Sequence, residues 1–171
     1  AQSVLFDFDI LAAHSGLPAD YTVGGITASF TATGQGFSIQ PADTLGFTPV
    51  GFAGNCIYPN GISASDLIIN FSAPLTDFSI LYAPHELACD SSATLRVTAY
   101  WNGAFVATAT TNANCSDTPC TWTSQILPIS SAQPFNSVVV HYDAPPSPIP
   151  NPCQNYGTIF LADNMTVTPA P

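Results

Sequence analysis

Apolar and polar residues alternate with a period of two along most of the chain. The clearest run is Ile26 to Thr33, where Ile26, Ala28, Phe30 and Ala32 alternate with Thr27, Ser29, Thr31 and Thr33. Successive side chains of an extended strand point to opposite faces, so this spacing predicts a strand with one buried and one solvated face. The same pattern covers Ser3 to Asp9, with Val4, Phe6 and Phe8 on one side. It recurs over Phe37 to Gln40, Leu67 to Ser72, Phe78 to Ala83, Thr94 to Trp101, Ala104 to Thr110, Thr121 to Leu127, Ser137 to Tyr142, Thr158 to Ala162 and Asn164 to Thr168. No segment carries a helical stripe. Ile26, Phe30, Leu95, Val97, Val138 and Val140 belong to the apolar sets of their strands and are expected in the core.

Asn102-Gly103 sits between two alternating runs, a strong hairpin signal because a type I′ turn needs positive φ at both central residues; Trp101 should pair with Ala104 across it. Sixteen prolines and eleven glycines punctuate the gaps. About ten short antiparallel strands with almost no helix imply two packed sheets, an all-β sandwich of jelly-roll type. An internal echo fits this picture: Pro74 to Tyr82 and Pro134 to Tyr142 both run from proline through an alternating stretch to tyrosine. Each is predicted to be a strand entering at its proline and leaving at its tyrosine. Residues 1–171 suit one domain, with a proline-dense loop or arm at 143–152.

Composition narrows the function. Hydrophobic residues make up 46% of the chain and charged residues 7%, with a formal net charge of -10 and Arg96 the only Lys or Arg. Such a balance excludes sequence-independent binding to phosphate backbones, so no nucleic-acid partner is expected. No run is long and apolar enough for a membrane-spanning helix. Ala1-Gln2-Ser3 reads as the remnant of signal-peptide removal, which places the chain outside the cell. The five cysteines show no zinc spacing. Cys115 and Cys120 close a short proline-containing loop and are expected to bond to each other, while Cys56, Cys89 and Cys153 supply one further bridge. The cysteine left over is either a buried free thiol or a link to another chain. Sequons at Asn70, Asn114 and Asn164 would allow glycosylation in a secretory host.

Catalysis finds little support. No G-x-S-x-G turn is present, His14, His85 and His141 lie in unrelated contexts, and Glu86 is the only glutamate. The chain is therefore expected not to be an enzyme, and His141 is expected on the solvent side of its strand. Asp7 and Asp9 share one face of the first strand, opposite Phe6 and Phe8, and Asp163 precedes the last strand. Terminal strands of a jelly roll are commonly neighbours, so these carboxylates are candidate ligands of a structural Ca²⁺. The alternative is solvent-facing acids on an outer strand. Of the aromatics, which mostly fill sandwich cores, Tyr58 and Tyr156 fall in apparent loops and are the candidates for stacking on a sugar.

Phe6-Asp7-Phe8-Asp9, Leu81-Tyr82-Ala83-Pro84, His141-Tyr142-Asp143 and Ala162-Asp163-Asn164-Met165-Thr166-Val167 together resemble secreted bacterial β-sandwich proteins of the PEP-CTERM-associated type. More distantly the chain resembles the jelly-roll carbohydrate-binding modules. That resemblance implies a Ca²⁺ bridging the first and last strands, at Asp7 or Asp9 and Asp163. Two functions follow as expectations. The first is an extracellular structural subunit that assembles with copies of itself into a filament, sheath or surface layer, because low charge suits subunit contacts. The alternative is a non-catalytic carbohydrate-binding module with a polysaccharide partner.

Overall fold

A computed structural model describes residues 2–44, 46, 48–61, 65–84, 92–114, 124–143 and 160–171. The described residues contain eleven strands and no helix. These are β1 (Val4–Phe6), β2 (Ser15–Gly16), β3 (Ala19–Val23), β4 (Ile26–Ala32), β5 (Phe37–Pro41), β6 (Asn55–Pro59), β7 (Leu67–Pro84), β8 (Ser92–Trp101), β9 (Ala104–Asn114), β10 (Gln125–Asp143) and β11 (Phe160–Pro169). All pairings are antiparallel.

The hydrogen-bond ladder runs continuously in the order β2-β5-β6-β11-β7-β10-β8-β9, yet it makes two layers because β7 and β10 are bent. Phe71 and Phe78 are seven residues apart on β7, about 23 Å along a straight strand. Their rings nevertheless lie 6.3 Å apart, centroid to centroid, so the strand turns a corner between them. β10 turns beside it, with register shifts on both sides of Phe135, and Leu75 and Phe135 pair at the corner, both fully buried. Pro74 and Pro134 stand at these corners. The two prolines therefore mark bends within continuous strands, not the strand entries expected from the sequence. A proline interrupts a straight central ladder, whereas at a bend its missing N–H costs nothing. The strands read as Leu67 to Ser72 and Phe78 to Ala83 are one element, and Ser137 to Tyr142 belongs to the same strand as Gln125 to Leu127.

The front sheet is β3-β4, the first half of β7, the second half of β10, β8 and β9. The back sheet is β2-β5-β6-β11, the second half of β7 and the first half of β10, with β1 paired on β11. This is the all-β, two-sheet antiparallel sandwich of jelly-roll type. Ile26, Phe30, Leu95, Val97, Val138 and Val140 are all buried, as their alternation requires. Phe6, Phe8, Tyr21 and Phe30 form an interlocking aromatic group, with Phe8 and Phe30 rings 5.2 Å apart and the Phe8 N–H donating to the Tyr21 hydroxyl oxygen at 3.0 Å. Each such ring stabilises the fold by about 2–3 kcal/mol through burial. Tyr82 of the back sheet donates its hydroxyl proton to the Thr111 carbonyl of the front sheet at 2.8 Å, which ties the layers together.

Two hairpins rest on positive-φ pairs. Asn102 (φ 48°) and Gly103 (φ 87°) join Trp101 to Ala104, as expected. Gly24 and Gly25 do the same for β3 and β4, with Val23 opposite Ile26. The first strand is shorter than expected: Phe8 adopts φ 65°, which ends the extended run after Phe6 yet still turns the Phe8 ring into the core. β11 fuses the two expected C-terminal strands across a bulge at Asn164, where φ is 48°.

Candidate functional site

Two constellations use polar side chains in contrasting ways. The first is a cleft of about 490 Å³ on the front sheet beside the corner, lined by Asn70, Phe71, Tyr100, Asn102, Gly103, Asn136 and Ser137. Strand register assembles it. Ser29 pairs with Asn70, Asn70 with Ser137, Ser137 with Tyr100 and Tyr100 with Phe105. Directly opposed residues of antiparallel neighbours share a face, so these five form one transverse row. Their flanking neighbours Ala28, Ile69, Val138 and Ala99 are buried, so the row faces outward. It spans four interstrand spacings, about 19 Å.

Polar groups at the cleft are held rather than loose. The Asn102 N–H donates to Asn136 Oδ1 at 3.0 Å, and Asn136 Nδ2 donates to Asn102 Oδ1 at 2.8 Å. This reciprocal pair fixes the hairpin against β10 and spends only one side-chain N–H, that of Asn136, so that amide lone pairs and the other side-chain N–H groups are left for a ligand. Phe105 is 64% exposed and Trp101 39%, both next to the turn. Among the described residues no carboxylate or ammonium lines the cleft. The sequence missed Trp101 and Phe105 as exposed residues by assigning aromatics to the core. Their position directly beside a two-residue turn was the available signal, because a hairpin tip projects beyond the facing sheet.

The second constellation lies on the back sheet. Ile57, Ala162 and Tyr82 are cross-strand partners whose side chains enter the main core. Their neighbours Cys56, Leu161 and Ala83 point the other way, into a second small core with Phe52 and Ala42. Ala42 and the described residues 48–54 thus form a flap over the outer face of this sheet. Asp163 is also on that face and is fully buried. Its Oδ2 accepts from the Ala53 N–H at 3.1 Å and its Oδ1 from the Asn164 N–H at 2.8 Å, while Asn164 Nδ2 donates to the Gly51 carbonyl at 2.9 Å. Asp9 Oδ1 accepts from the Asn55 N–H at 2.8 Å, and Asp7 Oδ1 from the Asp9 N–H at 3.1 Å. Gly54, at φ 61°, lies so close that a Cβ there would sit 2.2 Å from Asp9 Oδ1.

Burial pushes the Asp163 carboxyl up to about 7, against the two backbone donors, and the negative charges of Asp9 and Asp7 add to the rise. Burial likewise pushes the Cys56 thiol up to about 12, with help from Asp163. The three acids of the sequence expectation therefore do converge electrostatically. Among the described residues, however, no three His, Cys, Asp or Glu side chains are gathered closely enough to hold a metal ion. The carboxylates accept backbone N–H groups instead, of Ala53 in the flap and of Asn55, Asn164 and Asp9 outside it.

Tyr58 lies in β6, half-buried against the second core, and not in a loop. Tyr156, Cys89, Cys115, Cys120 and Cys153 lie outside the described residues, as does the proline-dense stretch beyond Asp143. Cys56 is a buried free thiol. His141 is 38% exposed on its strand, with Nδ1 2.6 Å from Asp66 Oδ1 and Nε2 3.3 Å from Asp143 Oδ1, and Arg96 Nη2 lies 3.2 Å from the same Asp143 oxygen. Both imidazole nitrogens thus face carboxylates, an arrangement that braces β7, β8 and β10 at the surface.

No family model and no curated protein matches the chain. Among solved structures, the K2 cleaved adhesin domain of Lys-gingipain is similar over 98% of this chain and 98% of its own, with a TM-score of 0.62 and 11% identity. CBM29-2, of the family 29 carbohydrate-binding modules, covers 98% of this chain and 92% of its own at a TM-score of 0.45 and 10% identity. CsCBM6-3 from Clostridium stercorarium, solved with cellobiose, covers 82% and 87% at 0.41 and 12%. At such identities the likeness concerns the fold, and the adhesin domain shares it from one end to the other.

Proposed function

We propose that this chain is a non-catalytic, extracellular carbohydrate-binding domain whose ligand lies in the front-sheet cleft between Asn70, Tyr100 and Asn136. The observation that carries the reading is the transverse row itself: hydroxyl, amide, hydroxyl and two aromatics, all on one outward face. Sugars present hydroxyls and apolar ring faces together. Amides serve the first as both donor and acceptor, and aromatic rings serve the second. The uncharged lining suits a neutral glycan. An extracellular adhesin domain is known with this fold, which is compatible with such a role.

The test is binding to a panel of neutral polysaccharides and their oligosaccharides by affinity electrophoresis and calorimetry. Tyr100→Ala and Asn136→Ala should each weaken binding by about tenfold, which is about 1.4 kcal/mol. Absence of binding across the panel, or binding by both variants as tight as that of the unmodified chain, overturns the proposal.

A structural Ca²⁺ at Asp7 or Asp9 and Asp163 is a separate proposal. Its support is limited to the charges of Asp7 and Asp9 being felt at Asp163, with no cation among the described neighbours; the three carboxyls would have to draw closer to grip one ion. Binding there would require the carboxylates to share oxygens already engaged with backbone N–H groups. A ligand that binds only the folded state raises its stability by mass action. Melting in chelator and in millimolar Ca²⁺ should then differ by several degrees; identical melts overturn it.

A further inference from the structure

The last strand is no free edge: β11 lies between β7 on one side and β6 and β1 on the other. The open flanks are elsewhere. Among the described residues the front sheet ends at β3 and at β9, and the back sheet at β2 and at the first half of β10, which carries Pro128, with three-residue β1 also flanked on one side only. β2 is two residues long and β3 is five, with exposed Asp20 second in the strand. Short strands and charges are the usual guards against edge pairing.

β9 has neither guard. It runs for eleven residues, Ala104-Phe-Val-Ala-Thr-Ala-Thr-Thr-Asn-Ala-Asn114, with no charge and no proline. Among the described residues it pairs only with β8. Its one irregularity lies near the turn, between Ala99 and Tyr100 of its partner, and beyond that the register is unbroken from Ala107 to Asn114. Two of its polar side chains turn back to β8, where Thr108 Oγ1 donates to the Val97 carbonyl at 3.1 Å and Asn112 Oδ1 accepts from Thr94 Oγ1, and of its carbonyls that of Thr111 already accepts the Tyr82 hydroxyl.

We propose that β9 is the docking edge for a second copy of this chain, strand to strand and antiparallel. Charge selects the occupant. Copies carrying a net charge of -10 repel each other, so they can meet closely only where acids are missing, and β9 is an uncharged edge of that kind. Antiparallel pairing of a strand with itself is self-complementary about a two-fold axis, so the contact closes at two subunits. β3, carrying Asp20, does not propagate it into a filament. The axis stands normal to the sheet, which leaves both outward rows, from Ser29 to Phe105, on one side of the dimer. Where those rows bind glycan as proposed above, the pair is bivalent toward a surface.

Light scattering on the full chain from micromolar to millimolar concentration is the test. A species of twice the chain mass is expected, and Thr108→Lys with Thr110→Lys should return it to the monomer even though the pair of lysines lowers the net negative charge. Hydrogen exchange on the unmodified protein gives an independent readout: β9 amides should lose protection on dilution while those of β8 and β10 keep it. A monomer at every concentration, a dimer untouched by the double substitution, concentration-independent β9 protection, or growth beyond two subunits would each overturn the proposal. Glycan binding by the monomeric variant reports separately on the cleft.

Discussion

The front-sheet cleft and the back-sheet flap are built from similar polar residues, but they direct that polarity differently. Under the flap, both Asp163 oxygens accept backbone N–H groups and Asn164 reaches the Gly51 carbonyl, so polar atoms satisfy one another out of water. In the cleft, Asn102 and Asn136 hold each other and leave capacity facing outward, while Phe105 remains mostly exposed. Buried polar groups are costly when unpaired, so the flap contributes to stability and tolerates little change. The cleft can change with little effect on folding, which is the property of a surface free to serve a ligand.

The largest effect that would break this contrast is at Gly54. Gly54→Ala introduces a Cβ 2.2 Å from Asp9 Oδ1 at a φ of 61°, so it should destabilise by about 3 kcal/mol in urea unfolding. A loss under about 1 kcal/mol would mean that the flap is not closely seated. Next, Asp163→Ala strands the Ala53 and Asn164 N–H groups and should cost about 2 kcal/mol, with glycan affinity unchanged.

Asp163 also sets a pH dependence in protein kept in chelator. Its carboxyl lies higher in the folded state, about 7, than its ordinary value of 3.8, so folding takes up a proton between them. The stability tied to its neutral form is complete below about pH 4 and is lost as pH rises through about 7. Melting temperature should therefore fall from pH 5 to pH 8, and Asp163→Asn should flatten that part of the profile. A wild-type melt independent of pH over this range sinks the argument. The smallest effect on stability belongs to the cleft: Phe105→Ala should change unfolding by no more than about 0.5 kcal/mol while weakening glycan binding severalfold.

These two regions also differ in how far the sequence revealed them. Alternation in Ile26 to Thr33 and the Asn102-Gly103 turn identified strands, faces and the hairpin, because both signals are local. Ala19 to Val23 alternates too, and the Gly24-Gly25 turn after it was legible but overlooked. Corners at Pro74 and Pro134 were not legible, since a proline in sequence cannot distinguish a strand's start from its bend. The convergence of Asp7, Asp9 and Asp163 followed from terminal strands lying side by side, as β1 and β11 do. What covers Asp163 did not follow: the landing of the flap depends on Phe52 and Ala42 meeting Leu161 and Ala83, a match of distant surfaces. Tyr58 was misread because β6 is short and its burial comes from that same flap.

Cys56 gives the flap a clock. Cys56 is packed in one buried cluster with Ala42 and Phe52 of the flap, and burial pushes its thiol up to about 12, so in the closed state it offers oxidants and alkylating reagents neither access nor thiolate. Any modification at neutral pH must wait for the flap to lift. The rate at which a thiol reagent reaches Cys56 therefore measures how often this layer detaches from a sheet that stays folded beneath it.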